Sequence, residues 1–230
     1  MNILKELYNY IDEFNQYTDE DFEIDSIRIE FKKRYKKEKL EELGNWSKIN
    51  KNDKKIMDKL KKRLEAEEVT SALQLEKYNI YYYNSNTDRP RYNNAIMVIF
   101  GLKQYNKDLT LKENVPQHLV DKIISILKNV SNIDLCLDIK HKPNFEALNS
   151  RFELKQYFDK HLKCFLNTYY INDTHILMID KVIFYDKAYK NSLDCILWRI
   201  EATISIPNIK ELALPLHEFK QITDLAKGNR

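Results

Sequence analysis

Glycine and proline are nearly absent: the 230-residue chain has three of one and five of the other. None of the glycines falls in a GxxxxGK[ST] or GxGxxG pattern. A phosphate-cradling loop feeding a helix N-terminus is therefore excluded. The same scarcity excludes collagen-like and propeller designs. Cysteine is also sparse: Cys136, Cys164 and Cys195 are odd in number and lack CxxC spacing. That argues against a disulfide framework or a structural zinc site and points to a reduced, cytoplasmic setting. The first residues, MNILKELYNYIDEF, lack the basic stretch before an apolar run that marks an export signal. No uninterrupted apolar run approaches the roughly 18 residues of a membrane span, so no membrane partner is expected.

What is present suits a globular protein. Apolar residues make up 43% of the chain, enough for a sizeable core in one large domain or two smaller ones. The net charge is only +3, but it is unevenly spread: residues 28–63 hold 15 Lys and Arg against 6 Asp and Glu. Such a segment is able to neutralise phosphates, with Lys54, Lys55, Lys61, Lys62 and Arg63 as candidates. It equally suits a solvated helix face.

The hydrophobic spacing predicts an amphipathic helix over 3–16 and a strand over "FEIDSIRIEF" (22–31), whose register slips at Asp25-Ser26. "RYKKEKLEELG" predicts a short helix closed by Gly44, and "NKNDKKIMDKLKKRLEAEEV" a longer one capped by Asn52 or Asp53. "KYNIYYYN" and "NNAIMVIFGLKQYN" predict two strands joined by a long polar loop, with Arg89 and Arg91 flanking Pro90 at its tip as further DNA-binding candidates. "VPQHLVDKIISILKNV" is a helix whose buried stripe is expected at Leu119, Ile123, Ile126 and Leu127. Strands follow at "NIDLCLDIK" and "CILWRIEATISI", and a hairpin across Asn172-Asp173. Part of "NFEALNSRFELKQYFDKHL" reads as helix, and a last helix ends near Gly228. The expected class is α+β, with a mixed or antiparallel sheet, helices packed on one face and a basic helical N-terminal region. The expected division is 1–75, a basic region for DNA binding or dimerisation, and 76–230, an α+β catalytic domain.

Alternation then sorts three strands. Ile133, Leu135, Leu137 and Ile139 point one way, and Asp134, Cys136 and Asp138 the other. Trp198, Ile200, Ala202 and Ile204 oppose Arg199, Glu201 and Thr203. Val182 and Phe184 oppose Lys181, Tyr185 and Lys187. If the strands are neighbours, Asp138, Glu201, Tyr185, Lys187 and Arg199 share one surface. Two hard carboxylates there suit Mg²⁺ or Mn²⁺. A nearby cation or metal helps a tyrosine attack phosphorus, and Lys and Arg add positive charge at a scissile phosphate. Taken singly, each residue also fits ordinary packing or surface ion pairing.

The succession "IMVIFGLKQYN", "PQHLVDKIISILKNV", "NIDLCLDIK", "IFYDK" and "LWRIEATI", spanning about residues 90–206, resembles the rolling-circle replication initiators of small plasmids and phages, the replication-initiation-factor group. The resemblance implies a tyrosine that nicks one strand at an origin, stays joined to the 5′ phosphate and leaves a 3′ hydroxyl as primer, with a divalent metal. By position it implies Tyr185 as nucleophile, Lys187 as electrostatic helper, Asp138 and Glu201 as metal ligands, and Arg199 as a phosphate contact or a support for Glu201. Single- and double-stranded origin DNA, a host helicase and a second copy of the chain are the implied partners. Asn132 stands where the pattern commonly has Arg, no His-hydrophobe-His pair occurs, and Tyr189 competes with Tyr185 as nucleophile. Two other readings stay open: a DNA-binding replication or regulatory protein of a mobile element without catalysis, and a phage or mobile-element protein whose sheet binds another protein.

Overall fold

The computed structural model describes residues 3–32, 37–50, 52–54, 56–58, 60, 69–85, 94–160, 162–206 and 211–228. The elements are α1 (Ile3–Thr18), β1 (Glu23–Lys32), α2 (Lys37–Glu41), β2 (Trp46–Lys48), β3 (Val69–Leu75), β4 (Ile80–Ser85), β5 (Asn94–Ile99), β6 (Gln104–Tyr105), β7 (Leu111–Lys112), α3 (Gln117–Leu127), β8 (Asn132–Ile139), α4 (Phe145–Asn149), β9 (Leu154–Asp159), β10 (Cys164–Ile171), β11 (Ile179–Asp186), α5 (Lys187–Asn191), β12 (Trp198–Ser205) and α6 (Ala213–Lys227). All strand pairings described are antiparallel, and the class is α+β. No helix among the described residues is long and apolar enough to cross a membrane.

The chain divides into two compact units. The first comprises Met1–Leu4, Ser26–Leu102 and Glu113–Ser131; the second comprises Lys5–Asp25, Lys103–Lys112 and Asn132–Arg230. The boundary expected near residue 75 falls within the first unit, at the end of β3.

In the first unit the strands run β2-β3-β4-β5-β1. Ile96 and Val98 join Ala72, Tyr81, Phe100, Ile49, Met57 and Leu60 in one core cluster, while Ala95, Met97 and Ile99 are buried as well. β5 thus reads as a nearly continuous apolar run, the pattern of a strand covered on both faces. The basic helix starts as its sequence predicts: the Asp53 carboxylate accepts from the Ile56 N–H at 3.2 Å. In α3 the buried residues are Leu119, Val120, Ile123 and Ile124, so the stripe lies nearer the helix start than expected, with Ile126 and Leu127 half-buried.

In the second unit the strands run β8-β12-β11-β10-β9. One face is apolar: Leu135, Val182, Phe184, Ile200 and Ala202 are fully buried. Phe145 of α4 closes this face, with ring centroids 4.0 Å from Tyr169, 5.7 Å from Trp198 and 6.2 Å from Phe184. The Asn144 side chain caps α4 by accepting from the Ala147 N–H. Phe22 stacks with Phe14 of α1 and packs on Phe219 of α6, whose C-terminus closes on left-handed Gly228. Helices thus pack on one face of these strands, and the opposite face is left for the polar residues.

Candidate active site

Strand pairing fixes the polar face row by row. One row runs Thr168, Tyr185, Arg199, Asp138; the next runs Lys155, Tyr170, Ile183, Glu201, Cys136. Adjacent strands lie about 4.8 Å apart, so side chains in one row meet. The expectation that β8, β11 and β12 are neighbours with coincident polar faces therefore holds.

Arg199 is the centre of the cluster. It is fully buried, and its guanidinium is forked onto Asp138, Nε to Oδ1 at 2.6 Å and the second terminal nitrogen to Oδ2 at 2.7 Å. The remaining terminal nitrogen donates to Asp25 Oδ1 at 2.8 Å. A planar five-donor group suits this two-carboxylate setting. Burial alone would pull the Arg199 pKa down, but hydrogen bonding to Asp138 and the surrounding groups hold it above its ordinary value. Tyr185 is also buried, and its hydroxyl donates to Glu201 Oε2 at 3.2 Å. Desolvation, then the Glu201 charge, push the phenol pKa well above its usual range.

The shared face is covered. Residues 103–112, carrying the β6–β7 hairpin, lie over it. Tyr105 Oη donates to Asp138 Oδ2 at 2.9 Å, the Lys103 N–H donates to Asp25 Oδ1 at 3.2 Å, and the Lys103 ammonium pairs with Glu23. Lys187 is fully buried, and its Nζ donates to the Lys103 carbonyl at 3.0 Å. Desolvation, then the neighbouring Arg199 charge, lower the Lys187 pKa to about 8. Lys187 also sits differently from its expected place on a strand: β11 stops at Asp186, whose carboxylate caps α5 by accepting from the Tyr189 N–H at 2.8 Å. The first residue of that short helix is Lys187, and its length still reaches the cluster.

Sequence reasoning missed Asp25, Lys103, Tyr105 and Lys190. Asp25 had a signal, since it sits at the register slip of "FEIDSIRIEF" and is buried there. Lys190 Nζ lies 4.3 Å from the centroid of the Tyr185 ring. Tyr189, the rival nucleophile, is 80% exposed, against 7% for Tyr185. Among the DNA-binding candidates, Lys54 is exposed; Lys55, Lys61, Lys62, Arg63, Arg89 and Arg91 lie outside the residues or side chains described.

The donor set does not fit a resident divalent cation in this arrangement. Both Asp138 oxygens accept from Arg199, one of them from Tyr105 as well, and Glu201 accepts from Tyr185. Among the described residues no three His, Cys, Asp or Glu side chains are grouped to hold a metal.

No protein-family model matches this chain. No curated protein matches it either. Among solved structures it is similar to one described as the rolling circle replication initiator protein from Geobacillus stearothermophilus, with 11% identity, 90% of this chain and 79% of that chain covered, and a TM-score of 0.41.

Proposed function

We propose that this chain is a plasmid or phage replication initiator that nicks origin DNA through Tyr185. The observation that carries the reading is the Tyr185–Glu201 hydrogen bond beside the Arg199–Asp138 pair, on one sheet face. Glu201 takes the phenolic proton; its 3.2 Å hydrogen bond to Tyr185 lies at the outer edge of the range for a general base. As the Oη–P bond forms, the P–O3′ bond breaks, the 5′ phosphate stays on Tyr185, and the 3′ oxygen leaves. Lys187 is close enough to neutrality to give that oxygen its proton, and Arg199 offsets charge on the phosphorus-bound oxygens. Asp138 and Glu201 would become the ligands of Mg²⁺ or Mn²⁺ only if Arg199 and Tyr105 released Asp138. Residues 103–112 have to move aside for any phosphate to reach Tyr185.

The test is incubation with a supercoiled plasmid bearing the DNA that flanks the gene. A denaturation-resistant protein–DNA adduct is expected, lost in Tyr185→Phe and retained in Tyr189→Phe. The reverse pattern would move the nucleophile to Tyr189. Chelator abolishes nicking if the cation is required.

The closure of the cluster favours a second reading, in which Arg199, Asp25 and Asp138 form a purely structural network in a DNA-binding protein of a mobile element. In that case no variant forms an adduct, and DNA binding weakens steeply with salt through Lys54 and the basic segment around it.

A further inference from the structure

An origin nickase with a 7% exposed tyrosine cannot act on a paired duplex as it stands; the strand has to be unpaired before its phosphate enters. The β9–β10 hairpin carries a feature that fits this need. Phe158 and Phe165 face each other across the two strands, with centroids 5.1 Å apart and rings edge to face. They are 44% and 62% exposed, and Leu162 in the turn is 67% exposed. Single exposed apolar side chains are ordinary, but three on one hairpin tip mark a contact surface.

The tip is held in shape. The Asp159 carboxylate accepts from the Leu162 N–H at 3.0 Å, and Lys163 closes the turn in the left-handed region at φ 52°. Behind it the register shifts between Phe165 and Tyr169, and Gln156 Nε2 spans the shift to the Leu166 carbonyl at 3.0 Å. Such a bulge bends and twists a strand. The tip also belongs to the site's own sheet. Pairing puts Phe158 and Phe165 on the face of Gln156, Tyr169 and Phe184, opposite Tyr185, so the tip stands at the edge of the sheet that carries the site; Thr168, three residues and so about 10 Å beyond Phe165 along β10, pairs with Tyr185.

Charge selects the occupant. Lys160 and Lys163 are exposed on the turn, while the acid beside them, Asp159, is engaged with the Leu162 N–H. We propose that Phe158, Leu162 and Phe165 form a wedge that enters DNA between base steps and holds a strand unstacked at the edge of the sheet that carries Tyr185, with Lys160 and Lys163 on the flanking phosphates. Apolar wedges of Phe and Leu unstack base steps in this way, and aromatic faces accept any base. The inference rests on the nicking reading for its role, but not for its test.

Two measurements decide it. In the first, a duplex carrying 2-aminopurine brightens on unstacking when the wild-type protein binds. The Phe158→Ala/Phe165→Ala variant, of unchanged melting temperature, is expected to lose that brightening, and Phe158→Trp/Phe165→Trp to keep it. In the second, the alanine variant is expected to nick the plasmid duplex about tenfold or more slowly while cutting a single-stranded oligonucleotide of the same site at the wild-type rate. Equal loss on both substrates, or unchanged brightening, overturns the wedge. So does a variant that loses only its binding to phosphatidylserine vesicles, which would assign the tip to lipid. If the wild type nicks nothing, the nicking reading falls, and the fluorescence result alone upholds or overturns the wedge.

Discussion

The two faces of the β8-β12-β11 strands are made by the same backbone and stabilised in opposite ways. On one, Leu135, Phe184 and Ile200 are buried against other apolar groups, each contributing roughly 1.5–3 kcal/mol by removal from water. Volume and pattern are what that face asks for, and many apolar combinations meet it. On the other face, Arg199, Lys187, Asp25 and Glu201 are equally buried, and each is tolerable only because a named partner accepts or donates to it. Buried ion networks are commonly no more stabilising than apolar side chains of like volume. A face that keeps five or more charged groups under a hairpin is thus poorly explained by stability.

The largest effects are expected from one deletion on each face. Arg199→Met leaves buried Asp25 and half-buried Asp138 without their cation, and should cost about 3–5 kcal/mol. Phe184→Ala, a cavity under Phe145, should cost a similar ~3–5 kcal/mol. Denaturant unfolding separates them by rescue. Adding Asp25→Asn and Asp138→Asn should recover a large part of the Arg199→Met loss and none of the Phe184→Ala loss. If the asparagines rescue neither, the charges are not what makes the two faces differ.

A smaller effect comes from Lys187. Its pKa is lowered to about 8 in the folded chain against an ordinary 10.5, so between those values the unfolded chain binds more protons. Stability therefore rises with pH across that window as the buried ammonium becomes neutral, by ~3 kcal/mol over its full width. Lys187→Met should be more stable than wild type near pH 7, with the advantage shrinking as pH climbs through 8 to 10. Above pH 10 the raised Tyr185 pKa acts the other way in both proteins, because the unfolded phenol ionises first. A pH-independent difference between wild type and Lys187→Met would show that the ammonium is not desolvated.

The periodicity of residues 133–139, 182–187 and 198–204 was enough to place Asp138, Arg199, Glu201 and Tyr185 on one face, because alternation is a local property. Burial was not legible, since it depends on residues 103–112, a hairpin of two two-residue strands with no periodic signal. Asp25 was visible only as a break in a strand; its partner Arg199 lies 174 residues away, and nothing local encodes that pairing. Lys187 was assigned to the right side by the wrong element, because Asp186 ends the strand as a cap and the side chain then reaches back from α5.

The smallest expected effect probes the hairpin alone. Cys136 lies in the Glu201 row and is 2% exposed, whereas Cys164 and Cys195 are exposed, so in a Cys164→Ser/Cys195→Ser background a thiol reagent reports opening at the cluster. Tyr105→Phe removes one hydrogen bond to Asp138, worth about 1 kcal/mol, from a hairpin that also keeps Lys103 on Asp25 and Glu23. If residues 103–112 open locally, Cys136 labelling should quicken about fivefold with hardly any change in melting temperature. If labelling instead follows global stability, as it should for Phe184→Ala on the apolar face, then the two faces open together, and the polar face has no door of its own through which a DNA strand reaches Tyr185.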